Sequence, residues 1–251
     1  MPGVQDLAMT TNATQLREHA EALFAAGLQR LNVSIDTVDP ARFSDVTRGG
    51  SLDEVLDGLD AATAAGFRRI KLNAVLVRGT NHDQIPELLQ FAYERDAVLR
   101  LIEYMPIGVD QYWQESRFIP VDSVRQDLAA SGYTVTPIDR ADGPVGGGPA
   151  EYWQVVSPSG TRQIVGFVAA LTHNFCASCN RVRLTADGRV RECLSEGGKS
   201  SLRDQMRAGA SDAELSAMIH TALYGKVDGH GFRAAPSGGR SAFVPMSALG
   251  G

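Results

Sequence analysis

All three cysteines of the chain lie in one short stretch with the spacing C-x2-C-x13-C: Cys176, Cys179 and Cys193. Two cysteines three positions apart can bind one metal centre, but a distant third must be returned to them by the fold. The dipeptide Asp187-Gly188 predicts a two-residue hairpin turn in between, because glycine accepts the positive φ that a type I′ turn needs. Such a turn pairs roughly Leu184 with Arg191 and Val182 with Cys193. The third cysteine therefore returns beside the first two.

Three thiolates suit two kinds of metal centre. One is a [4Fe–4S] cluster with three irons bound by cysteine and the fourth iron open. The other is a Cys3His zinc site, for which His173 is the obvious fourth ligand. Three unrelated buried cysteines are the remaining alternative, although a C-x2-C pair with a hairpin-returned third cysteine seldom arises by accident.

Two arginines next to the cysteines favour the iron–sulfur alternative. Arg181 and Arg183 lie two positions apart, on one face of the first predicted hairpin strand and beside the predicted metal centre. A structural zinc site does not need such cations. An open iron that faces an anionic substrate would use them.

Composition excludes several classes of protein. The chain has 251 residues, of which 43% are hydrophobic, enough for one large domain or for one domain with an appendage. Its net charge of −5 argues against broad nucleic-acid binding, so an anionic substrate must be bound by a local basic cluster. No stretch approaches the roughly 18 apolar residues of a membrane span, and no signal-peptide pattern is seen. An odd number of cysteines in a metal-like spacing is typical of the reducing cytoplasm, where we expect this protein.

The first part of the chain alternates between strand and helix patterns. Strands are predicted at 5–11, 30–36, 69–77 and 97–105, with helices at 12–27, from 51 to 66, and from 83 to 93. The run Ser51-Leu52-Asp53-Glu54 predicts a capping box at the start of the second helix. Short loops between these elements predict an α/β fold with parallel strands and right-handed crossovers. Periodicity does not distinguish part of a barrel from an open sheet.

The pattern changes near residue 110, where we place a domain boundary. A helix is predicted at 121–130, a glycine- and proline-rich surface loop at 142–149, antiparallel strands at 152–156 and 163–168, and helices at 201–208 and 212–223. The chain thus divides into residues 1–109 and a smaller α+β region, residues 110–251.

Several polar residues in the predicted strands are candidate site residues. Reactive groups gather at the carboxyl ends of parallel strands, where the sequence has Thr10, Asn12, Ser34 and Asp36. Taken alone, the Thr10–Asn12 tripeptide is more typical of turn and helix-cap chemistry. The Ser34 hydroxyl needs a partner if its strand is buried.

Two cations lie in predicted strands as well. Lys71 precedes an apolar run and either reaches solvent at the strand edge or binds a ligand. Arg100 lies between two leucines, and a buried arginine needs an anion. Glu103, expected on the same face, is the candidate internal partner of Arg100.

These motifs together resemble the GTP 3′,8-cyclase family, the radical-SAM enzymes of molybdenum cofactor biosynthesis. The resemblance covers essentially the whole chain. It is carried by the run FCASCNRVRLTADG at 175–188 with CL at 193–194, by TTN at 10–12, LNVSID at 31–36, KLNAVLVRGTN at 71–81 and RLIEYMPIG at 100–108, and by the terminal Gly250-Gly251.

The resemblance implies a fold and a reaction. The first 109 residues would be the last four units of a partial (β/α)6, TIM-type barrel, followed by the cluster-binding region. In the family, a 5′-deoxyadenosyl radical abstracts hydrogen from the GTP ribose, and C3′ is joined to C8 of guanine.

The resemblance also implies site residues. Cys176, Cys179 and Cys193 would hold a [4Fe–4S] cluster whose open iron accepts a guanine ring atom. S-adenosylmethionine would be bound by the side chains of Thr10 and Ser34 and by the backbone of Met105. Lys71 and Arg100, with Arg181, would bind the GTP triphosphate, Arg181 and Arg183 would serve turnover beside the cluster, and the Gly250-Gly251 tail would reach into the site.

The chain departs from the family pattern in one respect. The C-x3-C-x2-C motif of the first radical-SAM cluster is absent, and the first two βα units of the barrel have no counterpart. We therefore expect a fragment that is inactive alone, a non-catalytic GTP- or cluster-binding paralogue, or a chain complemented by a separate N-terminal half. A zinc-stabilised structural protein is the further alternative, and a family-type homodimer is compatible with each. An unpaired edge on the first strand predicts poor solubility or self-association.

Overall fold

The computed structural model describes residues 3–68, 70–107, 113–144, 148–173, 175–194 and 200–226. The strands are β1 (Ala8–Thr11), β2 (Arg30–Ser34), β3 (Ile70–Leu76), β4 (Val98–Glu103), β5 (Thr134–Pro137), β6 (Glu151–Val156), β7 (Arg162–Val168), β8 (Arg183–Leu184), β9 (Arg189–Arg191) and β10 (Ser200–Ser201). The helices are α1 (Leu16–Ala25), α2 (Pro40–Thr47), α3 (Leu52–Ala65), α4 (Ile85–Glu94), α5 (Val121–Ala130), α6 (Leu202–Arg207) and α7 (Asp212–Tyr224). Among the described residues, no helix is long and apolar enough to cross a membrane.

Backbone contacts divide the chain into two compact units. Unit 1 comprises the described residues within Met1–Tyr104 and Ser116–Thr172, and unit 2 those within Met105–Glu115 and His173–Gly251. The functional division expected at residue 110, into a barrel region and a cluster-binding region, stays a prediction.

Unit 1 contains a seven-stranded sheet in the order β1-β2-β3-β4-β7-β6-β5. The pairs β1–β2, β2–β3, β3–β4 and β4–β7 are parallel, whereas the pairs β7–β6 and β6–β5 are antiparallel. The predicted α/β class with parallel strands is confirmed, and so is the antiparallel pair at 152–156 and 163–168.

One face of the sheet supplies the core of unit 1. Its apolar residues alternate along β2, β3 and β4, as at Leu99 and Leu101 of β4, and are buried together with Val55 and Leu59 of α3. This alternation places the other side chains of the same strands on the opposite face. The polar candidates of β2, β3 and β4 therefore share that second face.

Helix ends follow the sequence signals in part. Ser51 caps α3 by accepting the Glu54 N–H, and Gly66 ends it with φ of 111°. The reciprocal bond of a capping box occurs instead at Ser211 and Glu214 of α7, which the sequence reading missed. It also missed α2, which begins after Asp39, an N-cap residue whose side chain accepts the Arg42 N–H at 2.8 Å.

Unit 2 contains a three-stranded antiparallel sheet in the order β10-β9-β8, with α6 and α7. The predicted hairpin is present, but its register is one residue away from the expected one. Arg183 pairs with Arg191 and Leu184 with Val190. The predicted pairing of Leu184 with Arg191 is therefore wrong.

The loop of the hairpin explains the shift. Three residues, 186–188, separate Thr185 from Arg189, and Gly188 has φ of 80°, as in a three-residue loop with a left-handed last position. The Thr185 N–H donates to the Arg189 carbonyl at 2.9 Å, and its hydroxyl accepts the Arg189 N–H at 2.9 Å and bonds Asp187. This threonine organises a longer loop than the Asp-Gly dipeptide alone predicts.

Candidate functional site

Unit 1 collects the predicted strand residues on one sheet face. Thr10 is in register with Asn32, which is in register with Lys71. Ser34 is in register with Asn73, which is in register with Arg100. Thr10 and Ser34 are exposed, whereas Lys71 is 3% exposed. The face thus carries accessible hydroxyls at one side and shielded cations at the other.

Arg100 is held by two neutral amides. Its Nε donates to Asn73 Oδ1 at 2.7 Å, and its Nη2 donates to Asn32 Oδ1 at 2.8 Å. Desolvation lowers the pKa of the guanidinium from its usual value. Amide oxygens fix its direction but add no negative charge, so the site retains the charge that an anionic ligand would neutralise.

Glu103 is not the internal partner of Arg100. It lies three positions further on, on the opposite face of β4, and is fully buried. Its carboxylate accepts the backbone N–H of Val121 at 3.1 Å, of Leu171 at 2.7 Å and of Thr172 at 3.0 Å, and bonds the Thr172 hydroxyl. The expectation of a Glu103–Arg100 pair on one face is therefore wrong, and Glu103 joins the start of α5 to the segment after β7.

Lys71 lies in the same polar face and is buried, so the solvent-exposed alternative is wrong. Its Nζ donates to the Tyr152 hydroxyl at 3.1 Å. Desolvation, with the charges of Arg100 and Arg30 adding to it, lowers the pKa of Lys71 from 10.5 to about 8. Arg30 is paired with Asp6. Lys71 and Arg100 together form the cationic part of the face.

A glycine leaves room for these side chains. Gly166 of β7 is in register with Arg100 and with Tyr152. A methyl group added there would lie 2.9 Å from Arg100 Cγ and 3.0 Å from Tyr152 Cε1. Any larger residue would displace both, so this position helps to set the direction of the two cations.

The carboxyl end of β2 is braced from within the chain. The Asp36 carboxylate accepts the Val75 N–H at 2.7 Å, and desolvation raises the pKa of Asp36 to about 6. The fully buried Asn81 donates to the carbonyls of Asp36 and Val75, at 2.8 Å each. Asn12 accepts bonds from Thr14, which is the local turn chemistry expected of it.

In unit 2, the C-x2-C pair forms a short 3-10 turn. The Cys179 N–H donates to the Cys176 carbonyl at 3.1 Å, and all three cysteines are half-buried thiols. His173 is exposed. Within the described part of the chain, no three His, Cys, Asp or Glu side chains form a group that could hold a metal ion as they stand. A common centre for the three cysteines stays a prediction.

Lys226 contacts the C-x2-C turn and was not among the predicted site residues. Its Nζ donates to the carbonyls of Cys179 at 2.8 Å and Arg181 at 2.7 Å, and lies 3.4 Å from Cys179 Sγ. Desolvation opposes ionisation of Cys179. The hydrogen bonds from Arg181 and Lys226 outweigh it and lower the pKa of the thiol to about 7. This environment favours a thiolate, the form that binds iron or zinc.

The predicted arginines lie beside these thiols. Arg181 stacks on Phe175, with 4.9 Å between its guanidinium carbon and the ring centre. Arg183 is half-buried, and desolvation with the charge of Arg181 lowers its pKa, while Cys193 and Cys179 act in the opposite direction. Thiols surrounded by cationic side chains match the negative charge of an iron–sulfur cluster. Among the described residues, the three cysteines do not form one ligand group.

Two family models and several named proteins match the chain. The family model described as Molybdenum Cofactor Synthesis C matches residues 97–232, and the Radical SAM superfamily model matches residues 2–92. A protein of Rhizobium etli (strain CIAT 652) named GTP 3′,8-cyclase is 43% identical over 230 residues, covering 92% of this chain and 64% of that protein. GTP 3′,8-cyclase 1 of Pseudomonas aeruginosa is 43% identical over 236 residues, covering 94% of this chain and 70% of that protein. The GTP 3′,8-cyclase of Pelotomaculum thermopropionicum is 39% identical over 230 residues, covering 92% of this chain and 69% of that protein.

The chain belongs to the GTP 3′,8-cyclase family. The family resemblance carried by the motifs is thereby confirmed. The chain spans about two thirds of the length of the curated relatives it matches, 64% to 70%.

Several residues of this family member escaped the sequence reading. Asn32 and Asn73 orient Arg100, Tyr152 contacts Lys71, and Lys226 contacts Cys179. The two asparagines had a detectable signal, since each lies two positions from a predicted site residue within a strand. Tyr152 and Lys226 are brought in from distant positions and had none.

Two predicted features have less support. The Met105 carbonyl accepts the Ile107 N–H at 2.8 Å in a local turn, and its role toward S-adenosylmethionine stays a prediction. The terminal Gly250-Gly251 lies outside the described residues.

Proposed function

We propose that this chain forms the substrate- and cluster-binding part of a GTP 3′,8-cyclase. The enzyme would convert GTP to (8S)-3′,8-cyclo-7,8-dihydroguanosine 5′-triphosphate in molybdenum cofactor biosynthesis. The observation that carries the proposal is the identity of 39% to 43% to proteins of that name over at least 92% of the chain. The buried cations of unit 1 and the thiols of unit 2 supply chemistry that such an enzyme needs.

In unit 1, Lys71 and Arg100 would bind phosphate groups of GTP. Lys71 is buried and Arg100 is half-buried, and both are positively charged at neutral pH. Lys71 Nζ donates to the Tyr152 hydroxyl, and Arg100 donates to the amide oxygens of Asn73 and Asn32. A desolvated cation gains strongly from a polyanionic ligand. Thr10 and Ser34, exposed on the same face, would bind S-adenosylmethionine, together with the backbone of Met105.

In unit 2, Cys176, Cys179 and Cys193 would bind a [4Fe–4S] cluster. When bound, such a cluster supplies an open iron that can accept a guanine ring atom. Cys179 is prepared for ligation, since its pKa of about 7 leaves a large share of thiolate at neutral pH. Arg181 and Arg183, beside the thiols, would bind the anionic substrate and support its turnover.

The radical step requires ligands that these 251 residues do not supply. The chain has three cysteines, so a second cysteine-ligated cluster would need three more. We propose that this chain alone is inactive and that cleavage of S-adenosylmethionine depends on cysteines from outside it. Among the described residues, β1 pairs only with β2, so its other edge could accept a strand from a complementing N-terminal half or from a second copy in a homodimer. Light scattering of the chain alone would test this: a monodisperse monomer would count against an exposed edge.

Metal and sulfide analysis of the chain purified without oxygen tests the proposal. We expect about four irons and four acid-labile sulfides per chain, and we expect Cys179→Ser to lose them. We also expect the unaltered chain to bind GTP, which equilibrium dialysis measures. A control variant, Ser178→Ala, changes an exposed neighbour of Cys179 and should retain the iron. One zinc with no sulfide would contradict the proposal and favour the Cys3His alternative with His173. Iron without GTP binding would indicate a cluster-binding module of another function.

A further inference from the structure

Arg191 of β9 is a buried cation with unused donors. The residue is 4% exposed, and its Nε and Nη2 are shielded from water with no hydrogen-bond partner in the described part of the chain. Burying such donors unpaired is costly, because each gives up its bonds to water. Two such donors on one guanidinium require an explanation, and a bound anion is the one that would satisfy both of them.

The neighbours of Arg191 increase this imbalance. Arg183 is its direct cross-strand partner, and like charges opposite each other in a sheet repel. In the described chain Asp187 pairs with Arg189 and Asp204 with Arg203, and Glu192, which follows Arg191 in sequence, forms no ion pair with it. Two arginines thus face each other with no ion pair to a carboxylate among the described residues.

The two unused nitrogens specify the shape of the ligand. Nε and Nη2 form one edge of the planar guanidinium, so their N–H groups point in parallel. That fork matches two oxygens of a phosphate or carboxylate, and arginine is favoured wherever such bidentate binding occurs. A single point charge would use it less well.

We propose that Arg191 and Arg183 form an oxyanion site on the hairpin that binds a phosphate group of the nucleotide substrate, with Arg191 as the bidentate donor. The inference rests on the proposed function, which supplies a triphosphate as substrate, and adds a binding residue that the cysteine motif does not include. Because both donors are already desolvated in the ligand-free fold, an oxyanion gains their hydrogen bonds without a further cost of removing water from them, and the cost that remains is the side-chain movement that admits it.

The test compares Arg191→Met with Arg189→Met in the iron-loaded chain. Arg189 lies on the same strand but is exposed and paired with Asp187, so it is the matched control. Binding of GTP and of guanosine, which lacks phosphate, is measured by equilibrium dialysis, with iron content and thermal unfolding recorded in parallel. Arg191→Lys is the second variant, since it keeps the charge and removes the fork.

We expect Arg191→Met to weaken GTP binding by roughly tenfold to a hundredfold while guanosine binding and iron content stay unchanged. Arg191→Lys should recover only part of the loss. The ligand-free methionine variant should unfold at the same temperature as the unaltered chain or higher, because unpaired donors are removed.

Three outcomes would overturn the inference. GTP binding within about twofold of the unaltered chain would show that Arg191 binds no phosphate, and the proposed function would survive. Loss of iron together with equal losses of GTP and guanosine would assign Arg191 to the cluster or to the fold. An unaltered chain that binds iron and sulfide but no GTP, or neither, would remove the proposed function itself and this inference with it.

Discussion

The candidate site residues are held differently in the two units, although Arg125 Nη1 and Gln163 Oε1 of unit 1 also lack hydrogen-bond partners in the described chain. In unit 1, Arg100 is held by two asparagines, and Glu103 accepts four hydrogen bonds. In unit 2, Arg191 has two donors without partners in the described chain, and the three cysteines form no metal-binding group there. We infer that unit 1 orients its functional side chains before any ligand arrives, whereas the hairpin of unit 2 is completed by its ligands.

Because of this difference, substitutions of buried polar groups should change folding stability in opposite directions in the two units. Removing a hydrogen-bonded buried group from unit 1 leaves its buried partners without hydrogen bonds and should destabilise the fold. Removing an unsatisfied one from unit 2 should stabilise the ligand-free chain while weakening binding. The following predictions test this contrast, beginning with the largest effect.

Glu103→Gln should lower the free energy of unfolding by about 2–4 kcal/mol, since an amide cannot accept all the bonds that the carboxylate accepts. Urea denaturation measures the loss. Glu21→Gln, at an exposed position of α1, is the control and should change stability by less than about 0.5 kcal/mol. A neutral effect of Glu103→Gln would mean that unit 1 does not depend on its internal partners.

Gly166→Ala should weaken GTP binding roughly tenfold, because the methyl group displaces Arg100 and Tyr152 and with them the direction of the two cations. The steric cost to stability is about 1–3 kcal/mol. Equilibrium dialysis measures the binding. Iron and sulfide content serve as the internal control, and a parallel loss of iron would show that the substitution disturbs more than the Lys71 and Arg100 side chains.

GTP affinity should fall roughly tenfold between about pH 7 and about pH 9, as Lys71 loses its proton near its pKa of about 8. Lys71→Arg should flatten this profile, because arginine stays charged. A profile that is the same in both proteins would exclude Lys71 as a phosphate ligand.

The pH dependence of folding stability that Lys71 causes runs opposite to that of GTP affinity, because stability rises with pH. Its folded pKa of about 8 lies below the ordinary 10.5, so the unfolded chain binds more protons between these values. The cost of burying the charged lysine is therefore fully present below pH 8 and is relieved as pH rises through this window.

Lys226→Met should raise the pKa of Cys179 above about 7 and slow its alkylation at neutral pH a few-fold. Iodoacetamide labelling of the metal-free, reduced chain, followed by mass spectrometry of the Cys179 peptide, measures this change. Arg207→Met, at an exposed position of α6, is the control. An unchanged alkylation profile would show that the ammonium does not tune the thiol.

The local sequence predicted much of the fold. Alternating apolar residues gave the strand and helix order, and the limits of α5 were predicted as observed, at 121–130. The strand assignments placed Thr10, Ser34, Lys71 and Arg100 in four predicted strands, and the observed register brings them to one face of the sheet. The cysteine spacing and its flanking motifs were sufficient to indicate the family.

Where the sequence reading was wrong, single-residue register was the cause. Counting Glu103 onto the face of Arg100 assigned it the wrong partner, and a loop one residue longer than expected shifted the β8–β9 pairing. Since strand side chains alternate with a period of two, one residue reverses the face of every position that follows. The Thr185 side chain, which organises that loop, acts through hydrogen bonds that composition does not reveal.

The sequence by itself determined the family, the α/β class and the types of residue available for cation and thiol chemistry. These are properties of local pattern and motif. Tertiary structure alone decided that Arg191 is buried opposite Arg183, that Lys226 contacts Cys179 and that Tyr152 meets Lys71. The last two contacts join residues 47 and 81 positions apart. Burial and the pairing of distant charges depend on the whole packing, which no single segment of the chain encodes.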